Sequence, residues 1–178
     1  MKKVILYTFI LFSCAKCFSQ DLYRTFNGYV IISGEYNDSA FLAESHKLEF
    51  YYDGRSKNIS GNINLKSLIS GIPYLDSLIA VNSGNIITIS GNIPVDFLTW
   101  DHKEYNLNIP IEIKFNETII KTLSKMKFTH TDKLTSYTCI LETAFKLDLA
   151  DFKVNVPVQL NSKVNVQFLQ LILRRGDQ

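Results

Sequence analysis

The sequence is poor in cysteine, proline and glycine, and the shortage of cysteine limits how the fold can be stabilised. Among 178 residues there are three cysteines, four prolines and eight glycines. Cys14 and Cys17 lie close to the N-terminus, so Cys139 is the single thiol left for a folded domain, and one thiol cannot form an internal disulfide. Its neighbours Ile140 and Leu141 predict a buried, unreactive side chain. The fold is therefore expected to be held together by its hydrophobic core.

The sequence also lacks an excess of charge of one sign. Its formal net charge is +2, and its first 20 residues contain Lys2, Lys3 and Lys16 but no acidic residue, so their removal takes the charge to about −1. A chain this close to neutrality has no basic surface with which to neutralise phosphates. Nucleic acid is therefore not expected as a partner.

Sequence motifs for catalysis, metal binding and phosphate binding are missing as well. His46, His102 and His130 are far apart and lack the spacing of metal ligands, and no Gly-x-Ser-x-Gly motif or phosphate-binding glycine loop is present. Asp148 and Asp151 are a pair of acids, but two carboxylates this close to a strand end more commonly shape a turn. We predict a protein that is not an enzyme and that uses no metal or other cofactor.

The N-terminal segment has the composition of an export signal. Residues 1–3 are basic, and residues 4–13 form an apolar run that is too short to span a bilayer. We expect residues 1–20 to be a signal peptide, which leaves one domain over residues 21–178.

Lipidation is a second way in which the same segment could be processed. Residues 11–14 resemble a lipobox, which would attach a lipid to Cys14. Phe12 is bulkier than the residues usual in that motif, so ordinary cleavage is favoured. In either case we expect an exported protein, periplasmic or secreted.

What the sequence does contain is alternation of apolar and polar side chains with a period of two. Over residues 105–115, the odd positions are apolar or aromatic, and polar residues and Pro110 stand between them. Pro110 cannot donate a ladder hydrogen bond, so it is expected at an edge, a bulge or a barrel corner. Further strands are predicted over residues 48–52, 59–65, 139–147 and 164–168, and weaker ones over residues 26–33 and 86–97.

Turns and short helices are predicted between these strands. Turn-forming residues occur at 53–54, 82–85 and 101–103. Residues 75–81 and 117–126 each predict a short helix. The whole pattern indicates an all-β, mainly antiparallel domain, either a sandwich or a closed barrel, with one or two short helices.

Several segments resemble the YceI-like family of exported lipocalin-like β-barrels, which is associated with binding polyprenoids and other long-chain lipids. Residues 28–33 and 41–45 look like the opening strand of that family and its return, and residues 59–68 are similar to the segment that leads into its centre. The best match is residues 145–152, which run into the position of an Asp-Phe-Gly turn before the final strand.

Three features depart from the pattern of the family. The central stretch between Leu78 and Ile87 is shorter, which changes the wall of the expected barrel. Residues 97–102 replace a His-Gly-Val-Thr-like hairpin, and Lys153 stands where the Asp-Phe-Gly turn would have glycine. The last two departures affect turn geometry rather than the cavity.

The resemblance implies a single, closed or partly closed lipocalin-like barrel that binds a lipid or isoprenoid-like apolar molecule without transforming it. The side chains expected to face inward and line the ligand are Phe50, Tyr52, Leu65, Leu107, Ile109, Ile111, Phe145, Val166 and Phe168. A slip of one residue would move this whole set to the outer face.

Two alternatives to a lipid-binding barrel stay open. The same barrel with a filled core would be a structural or interaction module of the cell envelope, and periodicity alone favours a filled core. A small hydrolase would need His102 or His130 beside a serine in a pocket. A homodimer that compensates for the shortened centre is also left open.

Overall fold

The computed structural model describes residues 22–81, 86–95, 104–131 and 137–173. The predicted signal peptide and the predicted turns at 82–85 and 101–103 lie outside these residues.

Eight antiparallel strands close into a barrel in the order in which they follow along the chain. The strands are β1 (Leu22–Tyr36), β2 (Ser39–Asp53), β3 (Asn58–Asn64), β4 (Ile86–Asn92), β5 (Glu104–Phe115), β6 (Thr118–His130), β7 (Tyr137–Asp148) and β8 (Lys163–Leu173). Among the described residues, one helix, α1 (Pro73–Val81), and two 3-10 turns, Leu65–Ser67 and Leu149–Phe152, lie in the connections. The predicted all-β barrel with a short helix is confirmed.

Strand β5 shows most clearly how the alternation produces the barrel wall. Ile109, Ile111, Ile113 and Phe115 are buried, whereas the residues between them are exposed. Pro110 lies one position beyond the last residue pair of β4 and β5, in which Gly91 faces Ile111. Pro110 therefore has no paired residue in β4, whereas on the other side it lies opposite Leu123 of β6.

The helix predicted over residues 117–126 is wrong, because this segment belongs to β6. It pairs with β5 over the full length of the hairpin, from Phe115 opposite Thr118 to Glu104 opposite Thr129. Asn116 begins the hairpin turn in the left-handed region, with φ of 51°. Backbone pairing with β5 therefore overrides the local helical tendency of the segment.

The end of the barrel that carries the β2–β3 turn is filled with side chains, and we call it the filled end. This turn lies where residues 53–54 predict one, and the Asp53 carboxylate accepts a 2.9 Å hydrogen bond from the Arg55 amide. The large side chains inside this half are fully buried; they include Leu48, Phe50, Tyr52, Phe128, Leu141 and Ile172. Cys139 is buried among them, and this burial raises the pKa of its thiol to about 12.

The connection from β7 to β8 starts with a capped 3-10 turn. Asp148 accepts a hydrogen bond from the Ala150 amide, and together with the Ser162 hydroxyl, the largest cause, this bond lowers the pKa of the Asp148 carboxyl. The turn ends at Lys153, whose φ of 56° lies in the left-handed region that favours glycine. Asp148 thus shapes a turn, and Lys153 adopts the left-handed conformation at the position where the sequence resemblance leads us to expect glycine.

Thr143 in β7 offers a test of hydrogen bonding in the interior of the barrel. Its hydroxyl is buried and has no hydrogen-bond partner in the described structure. Because a buried hydroxyl without a partner costs stability, Thr143→Val is expected to raise the free energy of unfolding by about 1 kcal/mol. Urea denaturation measures this change.

The matched control for Thr143→Val is Thr122→Val in the neighbouring strand. The Thr122 hydroxyl donates to the Lys146 carbonyl at 3.3 Å, so its removal should bring no gain in stability. A destabilised Thr143→Val variant would contradict the assignment of an unpartnered hydroxyl.

Candidate functional site

An apolar cavity of about 230 Å³ lies at the end of the barrel opposite the filled end, and we call this the cavity end. Its wall is formed by side chains near the β1–β2 hairpin, the β5–β6 hairpin and the strand ends beside them. These side chains are Ile32, Phe41, Ala43, Ile87, Phe115, Leu147, Val164 and Val166. The period of two in each strand directs them inward, so hydrocarbon groups line the wall.

Two connections at this end of the barrel, which we call caps, contribute the rest of the cavity lining. The first cap comprises residues 65–81, and the side chains that it contributes are Leu65, Leu68, Leu75, Leu78 and Ile79. The second cap comprises residues 149–160, and it contributes Leu149, Phe152, Val154, Asn155, Val156, Pro157 and Leu160. Asn155 is the only polar residue among the described residues that line the cavity. The site can therefore bind hydrocarbon but offers almost no partner for a polar group.

Hydrogen bonds to Asp76 and to β2 fix the first cap. The Asp76 carboxylate accepts from the Ser70 amide at 2.7 Å, the Ser70 hydroxyl at 2.7 Å and the Gly71 amide at 3.2 Å. These bonds, led by the one from the Ser70 amide, lower the pKa of Asp76. Ile69 also exchanges two backbone hydrogen bonds with Glu44 in β2, at 2.9 and 3.0 Å.

The second cap is fixed to the β1–β2 hairpin. The Asn37 amide donates to the Gln159 carbonyl at 2.8 Å, and the Asn161 amide donates to the Glu35 carbonyl at 3.0 Å. Inside the cavity end, the ring of Phe152 packs edge-on against Phe115 with centroids 5.9 Å apart. Both caps are thus anchored to the barrel, and their apolar side chains complete the lining of the cavity.

The nine side chains predicted to line a ligand face inward in the phase that the sequence indicates. Leu65 and Leu107 are half-buried, and the other seven are buried. Only Leu65 and Val166 line the cavity; the other seven do not. Leu65 also lies in a 3-10 turn rather than at the end of β3. Contact with a ligand stays a prediction for all nine residues.

Sequence reasoning missed most of the cavity lining, because the lining comes largely from the two caps. In α1, Leu75, Leu78 and Ile79 have the spacing of one helix face, and this signal indicates a helix side that is covered by apolar groups. Residues 154–160 are irregular and have no periodicity, so nothing in their sequence marks them as a cover.

Three depressions on the outer wall have larger volumes than the cavity, about 680, 600 and 790 Å³. They are shallow and open, and polar and charged side chains such as Lys125, Glu142 and Lys121 take part in their walls. Most of their volume is thus solvent space, and an apolar molecule would stay largely in water there. The smaller cavity is the better candidate site for an apolar ligand.

The described residues contain no group of three or more histidine, cysteine, aspartate and glutamate side chains arranged to hold a metal ion. His46 stacks on the ring of Tyr29 with centroids 4.5 Å apart, and His130 lies edge-on to Tyr105 at 6.2 Å. His102 lies outside the described residues. Within the described part of the chain, no helix is both long enough and apolar enough to cross a membrane.

A solved structure has the same architecture as this barrel. It is a polyisoprenoid-binding domain from Saccharophagus degradans implicated in plant cell wall breakdown, with a TM-score of 0.68 and 10% sequence identity. The match covers 88% of this chain and 99% of that chain. The chain shares the fold of that domain. The resemblance to the YceI-like family is thereby confirmed at the level of the fold. No family model and no curated protein matches the chain.

The carboxylate of Asp76 should make the first cap sensitive to pH. Its folded-state pKa is lowered, so its contribution to stability is complete above the ordinary value of 3.8 and is lost as the pH falls through the folded-state value. Asp76→Ala is expected to lower the free energy of unfolding by about 1 kcal/mol at neutral pH, with a smaller difference from wild type in acid. Urea denaturation across the pH range measures this.

Asp151→Ala, which removes an exposed carboxylate from the second cap, is the control for Asp76→Ala and should change stability little. A difference between Asp76→Ala and wild type that stays constant into strong acid would contradict the role of the charged carboxylate.

Proposed function

We propose that the protein is an exported, non-catalytic binding protein that holds the hydrocarbon part of a lipid or isoprenoid-like molecule in the cavity end. The observation that carries this proposal is the cavity of about 230 Å³, capped on the barrel and lined by hydrocarbon apart from Asn155. The fold shared with a polyisoprenoid-binding domain supports it.

The chemistry of the lining determines which part of a ligand would bind. Each CH₂ group moved from water into such a site stabilises the complex by roughly 0.8 kcal/mol before the costs of ordering the ligand. A charged or strongly polar head would find no adequate partners inside and would lose its hydration. The ligand is therefore an amphiphile or hydrocarbon whose tail enters the cavity while any polar head stays in solvent.

Export, and with it a periplasmic or secreted location, is part of this proposal because residues 1–20 have the pattern of a signal peptide. Lipidation at Cys14 is the less favoured form of processing, and a homodimer stays a prediction. The filled end favours one second candidate, an interaction module of the envelope that binds no small molecule. Side chains alone fill the interior of that half of the barrel, so it needs no ligand to be well packed.

Filling the cavity tests the proposal. Ala43 is buried and lines the cavity, so Ala43→Phe places an aromatic ring in the ligand space. Binding of a dansyl-labelled geranyl probe, followed by fluorescence titration, should weaken by at least about tenfold, which corresponds to the loss of about two buried CH₂ groups.

The neighbouring variant Leu42→Phe is the matched control, because Leu42 is 58% exposed and its side chain points away from the barrel interior. It should bind the probe as wild type does. Ala43→Leu tests the same space if the larger side chain prevents folding. A wild-type protein that binds no probe would contradict the proposal and support the interaction module.

A further inference from the structure

The inward-facing side chains of the barrel form layers, and the layer next to the cavity-lining residues lies toward the filled end. In each strand, successive inward-facing side chains are two residues apart, so each lining residue has an inward-facing neighbour two positions closer to the filled end. Every strand except β6 contributes one buried side chain to this floor layer, and the seven side chains are Val30, Ser45, Ile63, Ile89, Ile113, Phe145 and Phe168. None of these seven side chains lines the cavity, and all are buried.

Phe145 and Phe168 are the largest side chains of the floor layer, and they lie next to each other. Phe145 lies two residues from the lining residue Leu147 in β7, and Phe168 lies two residues from the lining residue Val166 in β8, in both cases toward the filled end. The two rings pack edge to face with centroids 6.4 Å apart. Each residue keeps about 5% of its surface accessible, whereas Phe128 at the filled end keeps 0%. The pair thus lies between the cavity-lining residues of β7 and β8 and the filled half of the barrel.

The cavity volume limits how much hydrocarbon fits above this floor. An apolar protein cavity of about 150 Å³ accepts a benzene molecule. By the ratio of volumes, 230 Å³ accommodates about nine carbon atoms, close to the size of a geranyl chain. A longer chain would have to displace the floor or leave its remaining carbons in water.

We propose that Phe145 and Phe168 set the length of the hydrocarbon tail that the cavity accepts, with a limit near that of a geranyl chain. This inference rests on the proposed function and deepens it, because it names short-chain isoprenoid or alkyl amphiphiles as the ligand class. It also separates the protein from a carrier whose whole lumen takes up a long polyisoprenoid. The two rings limit the tail because of the volume that they occupy, not because of any polar group. Replacing one of them with a smaller side chain should therefore allow a longer tail to bind.

The test is a titration with geranyl, farnesyl and geranylgeranyl monophosphate, each kept below its critical micelle concentration, by isothermal titration calorimetry. In wild type, affinity should differ by no more than about threefold across the series, because the extra carbons stay in water. In Phe168→Ala, farnesyl monophosphate should bind at least about tenfold tighter than geranyl monophosphate, since about two further CH₂ groups at about fourfold each become buried.

Two further variants provide a control for Phe168→Ala and a substitute for it. Phe128→Ala deletes the same ring at the filled end, away from the cavity, and should keep the wild-type ratio of affinities. Phe168→Leu removes less volume and should give an intermediate ratio, so it replaces Phe168→Ala if that variant does not fold by circular dichroism.

The outcomes separate this inference from the proposed function. A wild-type protein that binds farnesyl monophosphate at least about tenfold tighter than geranyl monophosphate would overturn the length limit and leave lipid binding intact. The same holds if Phe128→Ala changes the ratio as much as Phe168→Ala does. If none of the three compounds binds, the proposed function itself fails.

Discussion

The pairing of β1 with β8 is the interaction on which the rest of the structure depends. Five residue pairs, from Tyr29 opposite Leu169 to Ser33 opposite Asn165, join the first strand to the last. Closure removes the free edges of the sheet and gives every strand one face toward a common interior. The alternation of side chains along each strand then decides what that interior contains.

The interior of the barrel is filled unevenly, and this unevenness gives the molecule its candidate site. An eight-stranded barrel is wide enough to be filled by its own side chains or to hold a small ligand. Here Phe50, Tyr52 and Phe128 fill one half, whereas Ala43 and the valines of β8 leave space in the other. The two caps add apolar side chains to the lining of that space. Solid support at one end and an apolar cavity at the other agree with the proposal that the barrel binds only the end of a hydrocarbon chain.

Much of the fold could be predicted from the sequence, because strand alternation is a local property. The pattern of residues 105–115 gives both the strand and its buried face, and the same argument places Phe145 and Phe168 inside. Strand β6 could not be predicted in this way. Ile119 and Leu123 stand on its outer face, 56% and 61% exposed, so its apolar residues follow a helical spacing although the segment is a strand.

The candidate site was harder to predict than the fold, for a physical reason. Its caps, residues 65–81 and 149–160, are far apart in the sequence, and both line the cavity because the barrel places the C-terminal ends of β3 and β7 at the same end. Whether the barrel encloses a cavity depends on the summed volume of side chains from all eight strands. That volume cannot be predicted from the pattern of any single segment. The nine side chains predicted to line a ligand were therefore placed inside the barrel without distinguishing the filled half from the cavity.

Native mass spectrometry of the gently purified protein, beside a sample that has been denatured, delipidated and refolded, tests the proposal that the barrel holds one apolar tail at its cavity end. We expect a single lipid per chain in the native sample, absent after refolding and restored by adding the extracted lipid. A native sample that carries no lipid and takes none up from the extract would contradict it.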